Sequence, residues 1–350
     1  MPTIYDVAKH AGVAPATVSR VINDSGYVAG ETRERVERAI AALGYAPNRL
    51  AQGLRSKQTQ TLGLILTDIT NPFWTTVARG VEDAASKAGF SVVLCNTDES
   101  QAKQDQYARL LLQKQVDGFV LVPACNDAET VTRIRERGVP LVVLDRRVPI
   151  PVDTVRGDSE GGAHSLVRHL LAQGHRRIAV LGGAREVSTA TDRVAGYRRA
   201  MGEAGLTVDP ALILYRDFTL AAGYEMASLV LALDPAPTAL FAVNNFIAIG
   251  ALRALRDAGV RVPEDVAMVA FDDLPQAMVV EPFLTVAAQP AYQMGHQATE
   301  LLLARLAGDK SDKILEIILP AQLVVRRSSS HKVGPSLNPF VKDVELSHQN

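Results

Sequence analysis

Ala11-Gly12-Val13-Ala14-Pro15-Ala16-Thr17-Val18-Ser19-Arg20-Val21-Ile22-Asn23 reads as a turn followed by a short helix. Gly12 is placed to make the turn, because a position that needs positive φ costs glycine least. Pro15 suits the first turn of a helix, where its missing N–H forfeits no hydrogen bond. Val18, Val21 and Ile22 fall on one helical face. Pro15, Ala16, Thr17, Ser19, Arg20 and Asn23 are left on the outside. Such a helix packs by one side and presents the other, as the second helix of a helix-turn-helix does.

Working outward, residues 1–46 predict three short helices. Thr3 and Asp6 have the spacing of a capping box for the first, which runs to about residue 11. The second starts near residue 14. The third covers about 31–43 and ends at Gly44, with Val36, Ala39, Ile40 and Leu43 as its apolar face. So small a core is marginal alone. Residues 47–58 change character: one proline, three basic residues, and Leu50 and Leu54 four apart. This stretch is too short for a stable free helix in water and reads as a linker unless a partner supplies the other half of its face.

From residue 61 short apolar runs recur at 62–66, 90–95, 118–122 and 141–144, then at 177–181, 211–214, 239–243 and 266–270. Helical segments lie between them, at 77–88, 104–114, 162–172, 195–204, 223–233 and 247–259. Alternation of this kind predicts an α/β fold with parallel, helix-covered sheets. Eight strands in two sets of four predict two such sheets, doubly wound, with ligands held at the carboxyl ends of the strands. After residue 280 come Gln289 and a further helix at 292–306, which must return to one sheet. We therefore expect a core at 59–328, with one lobe at about 59–160 and 290–328 and the other at about 161–289, then a polar tail at 329–350.

Composition narrows the class. The 350 residues are 47% hydrophobic and 21% charged, as in a soluble globular protein. No apolar run approaches the roughly 18 residues of a membrane span. The first residues show neither a basic nor an apolar leader segment, so a cytoplasmic protein without a membrane partner is expected. Cys95 and Cys125 match no metal-ligand spacing and are expected to be reduced. Net charge is −1, but residues 1–60 carry eight Lys/Arg against five acids, so a basic head precedes an acidic body. There is no phosphate-binding Gly-x-x-x-x-Gly-Lys loop, no Gly-x-Ser-x-Gly elbow, and no i,i+4 histidine pair among the seven histidines. Asp145 and Asp272 invite comparison with a glycosidase pair. Arg146 and Arg193 are expected to hold both ionised, which disfavours a general acid. No catalytic residue, metal or cofactor is expected.

Ile4-Tyr5-Asp6-Val7-Ala8, Ala11-Gly12-Val13, Thr17-Val18-Ser19-Arg20-Val21 and Gly44-Tyr45-Ala46-Pro47-Asn48 resemble the head of the LacI/GalR family of bacterial transcription regulators. Asn71-Pro72-Phe73, Gly174-His175-Arg176-Arg177-Ile178, Arg193-Val194-Ala195-Gly196-Tyr197, Val262-Pro263-Glu264-Asp265-Val266 and Phe271-Asp272-Asp273 resemble blocks of its body. The match runs from about residue 3 to 327, and the order and spacing of the blocks make it specific. The resemblance implies a homodimer on a pseudo-palindromic double-stranded operator and a periplasmic-binding-protein-like core holding a small effector.

On that resemblance Pro15, Ala16 and Arg20 face base edges, and Arg20 is the direct reader, since its guanidinium matches guanine O6 and N7. Tyr5, Thr17, Ser19, Asn23, Tyr45 and Asn48 resemble phosphate contacts, which position without reading sequence. Residues 48–55 resemble a hinge helix, with Ala51 and Arg55 on the DNA and Leu54 as a minor-groove wedge. Ala14 stands where the family commonly has a serine cap, a loss of about 1 kcal/mol, and Ala29-Gly30 replaces another serine-led start. Gly53 inside the hinge costs roughly 1 kcal/mol against alanine. The hinge is expected to fold only on DNA, so Gly53→Ala should tighten operator binding and blunt release by effector. Unchanged affinity in a DNA titration would refute this.

Asn71, Asp145, Arg146, Arg193, Asn244, Asp272 and Gln289 lie at or just after strand ends, accompanied by Phe73, Trp74 and Phe218. Carboxylates, amides and guanidiniums with flat rings suit a polyol: the polar groups meet hydroxyls and the rings cover C–H faces. Residue by residue the set resembles the pocket of periplasmic ribose-binding proteins and their repressor relatives. Trp74 stands where that pocket often has Phe or Tyr, and Asn245 replaces an Asp. Arg147 beside Arg146 keeps an acidic sugar open. Relatives with sugar pockets are mostly induced, which favours release from DNA by a sugar, with corepression or activation as the alternative and a sugar-binding transport protein as a distant one.

Overall fold

The computed structural model describes residues 2–22, 24–45, 59–274, 281–308 and 313–330. Two units emerge, Met1–Thr59 and Gln60–Asn350, and each is described by itself.

The head is three helices, α1 (Ile4–Ala11), α2 (Pro15–Ile22) and α3 (Gly30–Leu43). Both halves of the capping box form: Thr3 Oγ1 accepts from the Asp6 N–H, and the Asp6 carboxylate accepts from the Thr3 N–H at 2.7 Å. Gly12 is left-handed at φ 64°, which turns the chain into α2. Val7, Ala8, Ala11, Val18, Val21, Val36 and Ala39 form the core, with Ile22, Ile40 and Leu43 half-buried around it. A small apolar core leaves room for polar staples. Arg35 on α3 donates to the Ala11 carbonyl at 2.5 Å and the Gly12 carbonyl at 3.3 Å, closing the end of α1. The start of α3 has no such help, because Ala29 makes no side-chain cap.

The body has two parallel sheets. The first lobe runs β1 (Thr61–Leu66), α4 (Pro72–Lys87), β2 (Ser91–Asn96), α5 (Gln101–Gln113), β3 (Gly118–Leu121), α6 (Glu129–Glu136), β4 (Leu141–Leu144) and β5 (Thr154–Gly157). The chain then crosses to α7 (Ser159–Ala172), β6 (Ile178–Gly182), α8 (Ser188–Glu203), β7 (Ile213–Tyr215), α9 (Leu220–Leu231), β8 (Ala239–Ala242), α10 (Asn245–Asp257), β9 (Ala267–Phe271) and β10 (Thr285–Ala288). It returns for α11 (Ala291–Leu306) and β11 (Glu316–Leu319), and crosses a third time to β12 (Gln322–Val324). Strand orders are β11-β5-β4-β3-β1-β2 and β12-β10-β9-β8-β6-β7. All pairs are parallel except β10 with β12. Helices cover both faces, so β3, β4, β8 and β9 are buried throughout, which is why they read as unbroken apolar runs.

Four expectations change. Among the described residues there are six strands per sheet, not four. β5, β10, β11 and β12 are three or four residues long, and β11 alternates exposed and half-buried, so neither length nor hydrophobicity marks them. The expected strand at 211–214 is a 3-10 turn, Pro210–Leu212, leading into β7. Residues 322–329 belong to the second lobe and not to the first. Buried Ser328 accepts from the Thr285 N–H at 2.8 Å and donates to the Met268 carbonyl at 2.6 Å. Ser329, expected to open a free tail, is also buried, its hydroxyl bonded to Thr285 Oγ1 at 2.6 Å. The third crossing therefore anchors the C-terminal segment to the far sheet. Among the described residues no helix is long and apolar enough to cross a membrane.

Candidate functional site

In the head, Val18 and Val21 point inward, while Ala16 and Arg20 are exposed and Pro15, Thr17 and Ser19 half-buried, as the helical period requires. Tyr5 is exposed; Tyr45 is half-buried against the head core. Asn23, Asn48, Ala51, Leu54 and Arg55 lie outside the described residues.

In the body, the carboxyl ends of β1 and β4 face those of β6, β8 and β9 across a cavity of about 670 Å³. Asn71, Phe73, Trp74, Asp145 and Arg146 line it from the first lobe, and Arg193, Phe218, Asn244 and Asp272 from the second. Gln289, on the second crossing between lobes, is placed differently. It sits behind Asp272 in a smaller cleft, with its Nε2 donating to Asp272 Oδ1 at 2.7 Å. It orients a wall residue instead of lining the cavity.

The two carboxylates are structural counterparts. Asp145 follows β4 and Asp272 follows β9, and both take left-handed backbone, at φ 65° and 66°. Each backbone N–H continues the ladder, to Val155 O at 2.8 Å and Ala287 O at 3.0 Å, which aims the side chain into the cleft. Phe73 and Trp74 meet edge-to-face with centroids 4.7 Å apart, a flat wall at the start of α4. Asn71 and Asn244 cap α4 and α10, their Oδ1 atoms accepting from Phe73 N at 3.0 Å and Ile247 N at 2.8 Å. The oxygen of each amide is thus structural; Asn71 Nδ2 is also engaged, donating to Asn245 Oδ1 at 2.9 Å, which leaves the Asn244 NH₂ to serve the cleft.

The arginines are held from within the protein. Arg193 donates to the Val243 carbonyl at 2.5 Å, lies 3.5 Å from Asp272 Oδ2, and stacks over Phe271 at 3.8 Å. Arg146 is bidentate on Glu99, at 2.6 and 2.7 Å, and also donates to the Pro123 carbonyl at 2.8 Å. Glu99 was not anticipated; it lies in the loop after β2, 47 residues from its partner, where no local pattern points to it. Arg147 turns away from the cavity, its backbone N–H on Ser188 Oγ at 2.8 Å and its guanidinium on Asp192.

Electrostatics also depart from expectation. Burial pushes Asp145 up to about 6, outweighing the pull of Arg193 and Arg146, with Asp272 and Glu99 adding to the rise. Asp272 is raised too, again by burial, against Arg193 and the Gln289 hydrogen bond. The arginines pull both carboxylates down, but desolvation of a buried charge outweighs them, so both lie above the ordinary carboxylate value.

The lobes touch around the cavity. Asn71 and Asn245 exchange two hydrogen bonds, Nδ2 to Oδ1 at 2.9 and 3.0 Å, with both side chains buried. Asn126 N–H donates to the Glu186 carbonyl at 2.9 Å. Cys125, half-buried, lines the cavity, while Cys95 is buried elsewhere. Among the described residues no group of three or more His, Cys, Asp or Glu could hold a metal ion.

A helix-turn-helix head followed by two α/β lobes around a polar cavity defines a ligand-responsive DNA-binding regulator. Residues 3–48 match the model of bacterial regulatory proteins of the lacI family, and residues 59–326 that of periplasmic binding proteins and the sugar-binding domain of the LacI family. The chain belongs to the LacI family of transcription regulators. It is 36% identical to the HTH-type transcriptional repressor PurR of Photobacterium profundum, over 94% of this chain and 98% of that one. It is also 36% identical to the ribose operon repressor of Halalkalibacterium halodurans, over 94% of this chain and 97% of that one. A lac repressor dimer bound to operator and the anti-inducer ONPF superposes with a TM-score of 0.83 at 29% identity, covering 94% of this chain and 99% of that one. These relatives are regulators, not enzymes.

Proposed function

We propose that this chain is a cytoplasmic homodimeric repressor that leaves its operator when a small sugar fills the inter-lobe cleft, and that it catalyses nothing. The observation that carries this is the pairing of Asp145 from one lobe with Asp272 and Arg193 from the other, beside the Phe73–Trp74 wall. A ligand held by both lobes binds the closed arrangement better than the open one, and only such a difference can shift DNA affinity. Arg20, Ala16 and Pro15 would face bases, and Tyr5, Thr17, Ser19 and Tyr45 phosphates. The test is fluorescence anisotropy with duplex DNA from upstream of the protein's own gene, titrated with pentoses, hexoses and sugar acids. Release by one of them is expected; tightening would make it a corepressor instead.

Two further outcomes are expected. Asn245→Ala removes two hydrogen bonds that span the lobes, worth about 1 kcal/mol each, and strands an Asn71 N–H. Sugar affinity should fall about tenfold by calorimetry; a value within twofold of wild type would sink the role of the pair. The second concerns pH. Hydroxyls donate to the ionised form of Asp145, so binding lowers a pKa that burial holds at about 6. Affinity should be full above that value and decline as pH falls through it. A flat titration between pH 5 and 8, as round limits for the scan, would contradict the contact.

A further inference from the structure

We propose that the cleft selects by charge: it takes an uncharged sugar and refuses the phosphorylated or carboxylated form of the same sugar. This rests on the reading of the cleft as a sugar site. Among the described residues, seven carboxylates and two guanidiniums line the cavity. The guanidiniums are largely committed within the protein, and of their buried Nε groups neither makes a hydrogen bond. Arg146 spends both Nη groups on Glu99 and on the Pro123 and Ala124 carbonyls, and Arg193 spends Nη1 on Val243 and Asp272. Arg147, the basic residue that favoured an acidic sugar in the sequence, pairs with Asp192 away from the cavity.

Helix N-termini are the other feature that binds anions in α/β folds. Three of those that open on this cavity already carry a side-chain cap: Asn71 on α4, Thr219 on α9 and Asn244 on α10. The exception is α8, whose cap position is Val187. Its neighbour Glu186 lines the cavity there, as does Asp217 nearby in the wall, and neither has an ion-pair partner among the described residues. Deeper in, Asp145 is nine-tenths buried and its Oδ1 has no hydrogen-bond partner. An ionised carboxylate only accepts, so it needs an O–H or N–H donor; a phosphate or carboxylate oxygen would face it as one acceptor faces another.

A place in a reaction sequence follows. The effector is the substrate of the kinase or sugar-oxidising step, not its product. The regulator therefore reports sugar before it is charged, and a cell that charges the sugar faster should be less induced.

The experiment is isothermal titration of the full-length protein with D-ribose, D-xylose, D-glucose and cellobiose, and with D-ribose 5-phosphate, D-xylonate and D-glucose 6-phosphate. Adenine serves as an uncharged ligand of another class. One free sugar should bind, with its anionic form weaker by about a hundredfold or more, as expected for an unpaired charge brought against buried carboxylates. An anionic form that binds as well as or better than its free sugar overturns the charge rule and leaves the sugar reading standing. Adenine binding with no sugar bound in any form, or no binding of any sugar, overturns both. Glu99→Gln supplies an independent measure, because it frees the Arg146 guanidinium. The ratio of free-sugar to anion affinity should shrink about tenfold. A merely structural loss would lower both affinities and leave the ratio unchanged, which would also overturn the proposal.

Discussion

Asp272→Asn is expected to abolish release from the operator while operator binding persists. Asp272 is buried, with Gln289 donating to Oδ1 at 2.7 Å and Arg193 3.5 Å from Oδ2. Asparagine has the same shape and tolerates the left-handed backbone, here at φ 66°, so the wall should keep its form. The chemistry does not survive. An amide NH₂ placed toward Arg193 or Gln289 sets donor against donor, and the buried guanidinium loses its nearest counter-charge. Removing a charged hydrogen-bond partner costs roughly 1.5–3 kcal/mol, or about ten- to a hundredfold in affinity, and the stranded charge adds to it. The head has its own core, Val7 to Ala39, so its fold does not depend on this residue. The measurement is sugar-induced release by anisotropy, with sugar affinity by calorimetry. Release at the wild-type sugar concentration would refute the assignment.

Gly295→Ala should lower thermal stability sharply. A methyl group there would stand 2.1 Å from the Val77 carbonyl oxygen of α4, and one on Gly80 would stand 2.1 Å from the Tyr292 carbonyl oxygen of α11. The two helices meet backbone to backbone through these glycines, and neither obstruction is a side chain that can rotate away. The helices must move apart, against the tightly packed Met294, Ala298 and Leu302. Overpacking of this kind costs about 1–3 kcal/mol or more. At a few degrees per kcal/mol in a body of this size, Tm should fall by at least about 5 °C. The same helix starts two residues after Gln289, so the sugar response should weaken with it. Gly80→Ala strains the same contact, so the double variant should fall short of the sum of the single losses. A Tm unchanged in Gly295→Ala would show that the helices are not held as described.

Much of the head was legible in its residues because the interactions are local. The capping box spans Thr3 to Asp6, Gly12 needs only its own dihedral angles, and Val18 and Val21 share a face by helical period. The lobes were legible as alternating apolar runs wherever strands are buried on both faces. The short strands β5, β10, β11 and β12 carry no such signal, because their neighbours in the sheet and not their own residues make them strands. In the cleft, residue types at strand ends pointed to nine wall residues. Gln289 proved to support the wall from behind, since which face of a crossing segment meets the cavity is not written in spacing.

By itself the sequence determined the helix-turn-helix, the two α/β lobes and the kind of groups that meet between them, because helical period, strand burial and turn chemistry act over a few residues. Tertiary structure alone decided how those groups are used. It paired Arg146 with Glu99 across 47 residues and Asn71 with Asn245 across 174. It sent residues 322–329 to the second lobe, and it buried Asp145 deeply enough that desolvation outweighs two arginines. Burial and long-range pairing depend on where distant segments come to rest, and that is settled only when the chain has folded.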